Sequence, residues 1–257
     1  MKNIKYELKD GIACIELIRP EKRNAISDAM LAELGEAVDK AAQEASAAVL
    51  YGSGDHFCAG LDLAEQVTKS SIQGIEGSRS WHAVFTRMQR GSIPYFSALQ
   101  GAVVGGGLEL AAATHVRVAD NTAFFALPEG QRGIFVGGGG SVNITRLMGV
   151  ARMMDLMLTA RVLSAEEAEK YALVTYVCDE GGAFDKAFEL AQQASKNAAL
   201  SNYCIINALP RINNSGYDEG LFFESMIASF TQTSPEAKER LSAFLAKKAE
   251  RLNIPSS

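Results

Sequence analysis

Apolar and polar residues alternate over residues 3–8 and 11–17, through IKYEL and IACIEL, with Asp10-Gly11 between them. That pattern predicts a β-hairpin at the start of the chain. After the loop RPEKRNAIS the period lengthens. Met30, Leu34, Val38 and Ala41 fall on one face of a helix predicted over about 28–44, with Ser27 as its N-cap. Residues 47–51, AAVLY, are a short apolar run typical of a buried strand, closed by the loop Gly52-Ser53-Gly54-Asp55. In HFCAGLDLAEQ the small-residue turn Cys58-Ala59-Gly60 precedes a second helix start. Residues 65–91 are mixed, then helical around WHAVFTRMQR, and this least constrained stretch suits a lid or a pocket wall. Trp81 and Phe85, four apart, read as a packing stripe.

The pattern then repeats. PYFSAL is a predicted strand, a glycine-rich turn and the helix start LELAAA follow, and VRVAD at 116–120 is another strand. Helical periods resume at about 141–149 and 151–160, Ser164-x-x-Glu167 offers a capping box for 165–171, and VTYVC at 174–178 is the last clear strand. From about 182 the chain is helical and more charged, punctuated by Pro210, Asn213-Asn214-Ser215-Gly216 and Pro235. The last helix, about 235–251, carries Lys238, Arg240, Lys247, Lys248 and Arg251, which suit a dipole complement or a solvated face. These elements predict an α/β core over 1–195 and a C-terminal helical region over 196–257.

Composition narrows the partners. At 257 residues and 47% hydrophobic the chain can fill a sizeable core. A formal charge of −5 argues against nucleic acid or an anionic membrane as main partner. The N-terminus MKNIKYELKDG has no apolar signal region and no membrane-length run follows. Cys14, Cys58, Cys178 and Cys204 lack C-x-x-C spacing, which suits reduced thiols in a cytoplasmic protein. His56, His82 and His115 are scattered, so each reads as structural, and neither a metal site nor a bound cofactor is expected.

Candidate chemistry concentrates between Ala98 and Gly140. Glu109 stands in an apolar run just after Gly105, Gly106 and Gly107, and Glu129 follows Pro128 in a loop. Charged residues are rarely buried unless paired or used. Two carboxylates flanking one substrate suit acid and base work if their environments separate their pKa values. Glycines let backbone N–H groups approach a ligand oxygen, and a helix N-terminus favours negative charge there, so the turn reads as an oxyanion site. The plain alternative is a tight turn followed by a solvent-facing glutamate. Neither glycine cluster completes a G-x-G-x-x-G or a phosphate-loop pattern.

RPEKRNAIS, FCAGLDL, GAVVGGGLELA, FALPEGQRGIFVGGGG and LTARVLSAEEAEKYALV, in this order over nearly the whole chain, resemble the enoyl-CoA hydratases of the crotonase superfamily. The resemblance implies a spiral of strand-strand-helix repeats with a C-terminal helical region that drives trimers and dimers of trimers. It puts Glu109 and Glu129 on the catalytic positions, with Glu109 as base towards water and a protonated Glu129 as donor of the α-proton. Ala59 and Gly106 fall on the oxyanion positions. Lys22, Arg23, Ala25, Gly60, Leu61 and Asp62 fall on loops that hold coenzyme A, and Phe244 and Lys247 match residues that reach a neighbour's CoA. Coenzyme A enters as part of an acyl-CoA substrate.

Three departures stand out: Val136 where proline is frequent, Gly138 where alanine is common, and Gln100 for asparagine. They imply a roomier, less rigid glycine wall. With ALPRINNSGYDEGLFFESMIA they resemble most the methylthioacryloyl-CoA hydratases of dimethylsulfoniopropionate breakdown, and imply a short or polar enoyl chain. The alternatives are an isomerase, a thioester hydrolase or lyase of the same superfamily, or a non-catalytic acyl-CoA binder.

Overall fold

A computed structural model describes residues 1–67 and 69–246 of the chain. β1 (Ile4–Lys9) and β2 (Ile12–Leu17) form the expected antiparallel hairpin, with Ile4 opposite Leu17. Asp10 and Gly11 turn it at φ +51° and +75°, the double left-handed geometry of a tight hairpin. α1 (Asp28–Glu44) starts where Ser27 Oγ accepts the Met30 amide at 3.2 Å. It buries Met30, Leu34, Val38 and Ala41, the four residues of the predicted face.

β3 (Ala47–Gly52), β4 (Tyr95–Leu99), β6 (Val116–Asp120) and β9 (Tyr176–Cys178) continue the sheet in the order β1-β2-β3-β4-β6-β9, all parallel beyond the hairpin. Strands covered on both faces need apolar residues at successive positions, and AAVLYG and YFSAL supply them. Alternate residues divide between two cores. Ile15, Leu50, Tyr95 and Leu99 pack with α1, and with Phe85 and Met88 of α2 (Ser71–Gln89). Ile12, Val49, Phe96 and Val118 pack with Ala183, Ala187 and Ala191 of α7 (Ala183–Ser195).

A second sheet of short strands carries the site. β5 (Ala102–Val104) pairs parallel with β7 (Phe124–Ala126), which pairs antiparallel with β8 (Leu163–Ser164). A bridge from Cys58 to Val103 extends it. Each unit runs from a long strand to a short one to a helix: β4, β5, then α3 (Gly106–Ala112); β6, β7, then α4 (Gly140–Met148). The strand-strand-helix repeat expected from sequence is therefore present, but three residues each are too few for a visible alternation in β5 and β7. α3 is fixed at its far end by the buried Arg117, whose Nη1 donates to Thr114 O at 2.6 Å and Nε to Leu173 O at 2.7 Å.

Gly149 (φ +86°) separates α4 from α5 (Val150–Thr159), and the Ser164 and Glu167 capping box opens α6 (Ala165–Lys170). The chain divides into two compact units, Met1–Lys196 and one beginning at Asn197. The second unit consists of α8 (Ala199–Ile212), α9 (Tyr217–Gln232) and α10 (Pro235–Leu245). Pro210 lies inside α8, in its last turn, rather than ending it, and forgoes its own i→i−4 bond there. Among the described residues no helix is long and apolar enough to cross a membrane.

Candidate active site

Gly105 adopts φ +54° and ψ −123°, a turn that side chains resist, and a Cβ there would stand 2.6 Å from Glu129 Oε1. The chain then enters α3, and Glu109 sits one turn in, 4% exposed. Such a carboxylate needs donors. They come from the glycine run: Gly138 N and Gly140 N both donate to Glu109 Oε1, at 2.8 and 2.7 Å. Gly140 opens α4, so this oxygen lies at a helix N-terminus. The solvent-facing alternative for Glu109 is thereby excluded.

Glu129 lies in a 3₁₀ turn, Pro128–Arg132, and is 5% exposed. Its Oε2 has no hydrogen-bond partner among the described residues. Both glutamates line one cavity of about 250 Å³, together with Ala59, Gly60, Leu61, Trp81, Gly106 and Arg132. Burial pushes both carboxyls above their ordinary range. For Glu109 the amides of Gly140, Gly138 and Gly137 oppose that shift. For Glu129 its own amide and Arg132 oppose it, while the neighbouring Glu109 charge adds to it. One carboxyl is thus supported as an anion and the other is left without a partner side chain.

The backbone donors differ from expectation at one position. The Ala59 amide donates to Arg23 O at 2.9 Å and is not free to hold a ligand oxygen. Ile26 N donates to Gly60 O at 2.7 Å and Asp62 N to Ile26 O at 2.9 Å, so the intervening Leu61 amide faces the other way. Neither Leu61 N nor Gly106 N has an acceptor among the described residues, and both residues line the cavity. They are neighbours: Leu61 N lies 3.3 Å from the point where a Gly106 Cβ would stand.

The glycine wall differs too. A Cβ on Gly138 would fall 2.8 Å from Trp81 Cε3, so the ring fills the room that glycine leaves. The Ser78 hydroxyl also donates to Gly137 O at 2.6 Å, tying α2 to the wall. Residues 71–80, outside the clearest helical pattern, are nonetheless helical and form one side of the cavity.

A sequence profile described as enoyl-CoA hydratase/isomerase matches residues 7–252. The chain belongs to the enoyl-CoA hydratase/isomerase family. It is 33% identical to the Arabidopsis thaliana mitochondrial "Probable enoyl-CoA hydratase 2" over 93% of this chain and 80% of that protein. It is 28% identical to the short-chain-enoyl-CoA hydratase of Clostridium acetobutylicum over 96% of each. A Rhodopseudomonas palustris CGA009 crystal structure, described provisionally as an enoyl-CoA hydratase, superposes with a TM-score of 0.94 at 45% identity, covering 96% of both chains.

Within this enoyl-CoA hydratase/isomerase chain, the loops expected to hold coenzyme A meet. Arg19 joins them, its Nη1 donating to Ala25 O at 2.6 Å and its Nη2 pairing with Asp62 at 3.0 Å. Asp62 is held below the usual carboxylate range chiefly by that guanidinium, and it caps the next turn at Ala64 N, so its charge is already engaged. Lys22 and Arg23 are exposed beside it, and Arg23 and Asn24 hold left-handed φ of +50° and +56°. Phe244 is exposed on α10, and Lys247 lies outside the described residues. His56 Nδ1 and His115 Nδ1 accept backbone amides, of Ala102 at 3.1 Å and Tyr95 at 2.8 Å. Burial lowers the His115 pKa to about 4. The four cysteines are free thiols, and no group of three or more His, Cys, Asp or Glu is placed for a metal among the described residues.

Proposed function

We propose that this enzyme adds water across the α,β double bond of a short or polar enoyl-CoA thioester, with Glu109 and Glu129 as the acid/base pair and Leu61 N and Gly106 N as the oxyanion donors. The observation that carries the reading is the asymmetry of the two buried carboxyls facing one cavity. Glu109 has two amide donors on one oxygen, and Glu129 has an oxygen with none. In the proposed reaction Glu109, as carboxylate, takes a proton from water while the water oxygen bonds to the β-carbon. The electron pair of the double bond moves towards the thioester oxygen, where the two free amides meet the developing charge. Glu129, protonated, then gives its proton to the α-carbon. The sum is one water added, and a proton passing from Glu109 back to Glu129 restores the starting state.

Coenzyme A is assigned to the loops carrying Lys22, Arg23, Ala25, Gly60 and Asp62, with the exposed cations suited to its phosphates. The short-chain preference accords with the small cavity, and the departures at Val136 and Gly138 support the methylthioacryloyl-CoA hydratase subgroup. A homotrimer or a dimer of trimers is part of the proposal, because α9 exposes Phe222, Phe223, Met226 and Phe230. So is a cytoplasmic setting, which the free thiols suit. The testing experiment is turnover of purified protein on a panel of short, methylthio-substituted and aromatic enoyl-CoAs, with products identified by mass spectrometry. A 3-hydroxyacyl-CoA from a short member supports the reading, and release of free CoA with an unhydrated acid from every member turned over, or no product from any member, refutes it.

A further inference from the structure

We propose that the Trp81 indole is the floor of the acyl site and restricts this enzyme to short acyl chains. The proposal rests on the reading of the cavity as an acyl-CoA site and goes beyond it, because it names the group that sets the limit. Trp81 is 6% exposed, yet its ring lines the cavity that contains both glutamates. Ring atoms Cη2 and Cζ3 lie 2.8 and 2.9 Å from where a Gly106 Cβ would stand, and Cε3 lies 2.8 Å from the corresponding point on Gly138. The indole therefore lies against two glycines, one offering a free amide and the other donating to Glu109.

The ring has no ready retreat. Phe85, 1% exposed, meets it edge to face at 5.4 Å between centroids. The Ser78 bond to Gly137 O fixes the same helix to the same loop. The cavity is about 250 Å³, under the roughly 300 Å³ at which drug-sized ligand sites begin. Trp81 shares the cavity lining with both glutamates, so under the proposal it meets an acyl chain whose β-carbon reaches them, and each methylene that does not fit costs on the order of 10-fold in discrimination.

Trp81 is the single tryptophan of the chain, so its emission reports directly on this site. Fluorescence and calorimetric titrations of the wild type with butyryl-CoA, octanoyl-CoA and free CoA should show butyryl-CoA altering the emission and free CoA leaving it unchanged. Octanoyl-CoA should bind at least about 10-fold more weakly than butyryl-CoA. By calorimetry, Trp81→Ala should narrow that ratio by on the order of 10-fold, and the milder Trp81→Phe, which keeps a ring on Phe85, should narrow it in part. Gly138→Ala should weaken butyryl-CoA binding in the wild type and weaken it less in Trp81→Ala, where the new methyl has room. Octanoyl-CoA binding as tightly as butyryl-CoA to the wild type overturns the proposal, as does a ratio unchanged in both Trp81 variants. Failure to bind any acyl-CoA overturns it together with the site reading. Selective butyryl-CoA binding without hydration of any short or methylthio-substituted enoyl-CoA refutes the hydratase reading alone.

Discussion

Replacing single backbone amides by esters separates the two candidate oxyanion donors on the CAGLD loop. Incorporating the α-hydroxy analogue of leucine at position 61 removes one N–H and makes the Gly60 carbonyl, which accepts Ile26 N at 2.7 Å, a weaker ester acceptor. Because Leu61 N has no acceptor among the described residues, that change removes no donor from the fold and only weakens the Ile26–Gly60 bond. Folding stability should fall by no more than about 1 kcal/mol, the share of one weakened hydrogen bond. Catalysis should suffer instead: losing one donor of an oxyanion hole costs about 2.7–4 kcal/mol of transition-state stabilisation, or roughly 10²–10³ in kcat. The alanine analogue at position 59 should do the reverse. It removes the 2.9 Å bond to Arg23 O, lowering stability by about 0.5–1.5 kcal/mol, with a smaller effect on kcat. Steady-state hydration of crotonyl-CoA and denaturant unfolding, run on both esters, give the two readouts. If the ester at 59 costs more kcat than the ester at 61, the assignment of Leu61 is wrong.

Glu129→Gln should keep acyl-CoA binding and lose about 10²–10⁴ of kcat, the usual worth of a positioned general acid, and turnover within tenfold of wild type would make Glu129 structural. The same variant reports on linkage. The folded Glu129 pKa lies above its ordinary 4.5, mainly through burial, so this group's contribution to stability is full below pH 4.5 and is lost as pH rises through the folded value. Relative to wild type, Glu129→Gln should therefore gain stability as pH climbs from 4.5, levelling off above the folded value, and a difference that shrinks with pH would contradict this. Gly140→Ala would place a Cβ 2.7 Å from Glu109 Cγ, and should cost at least about tenfold in kcat with about 1–3 kcal/mol of stability; full activity would show that the Glu109 anchor is dispensable. Light scattering on the whole chain should give the mass of a trimer or its double, and a fully active monomer would refute shared assembly.

Much of the frame was legible because long elements carry strong periods. The face Met30, Leu34, Val38 and Ala41, the Asp10-Gly11 turn and the Ser164–Glu167 box all stand where patterning put them. β5 and β7 were invisible because strands of three residues hold too little alternation to read. The two glutamates were legible as charges in apolar surroundings. What holds Glu109 was not, since the donors Gly138 and Gly140 come from a loop about thirty residues away and backbone N–H groups leave no mark in a sequence. In the sequence Leu61 reads as a coenzyme A contact and the free amide is assigned to Ala59, for the same reason: which amide of Ala59, Gly60 and Leu61 faces the cavity depends on how the loop bridges to Ile26. Trp81 was read as packing, and it does pack against Phe85, but the glycines that bring its ring to the cavity wall lie in two other segments.

Hydration of crotonyl-CoA in isotopically labelled water tests the central claim most directly. With heavy-oxygen water and, separately, deuterium oxide, mass spectrometry of the product follows both halves of the added molecule. The two-glutamate account predicts 3-hydroxybutyryl-CoA carrying solvent oxygen at the β-carbon and one solvent hydrogen at the α-carbon, and predicts that this product falls away in Glu109→Gln and Glu129→Gln. Free CoA with labelled crotonate, a shifted double bond without added oxygen, or unchanged crotonyl-CoA would contradict it.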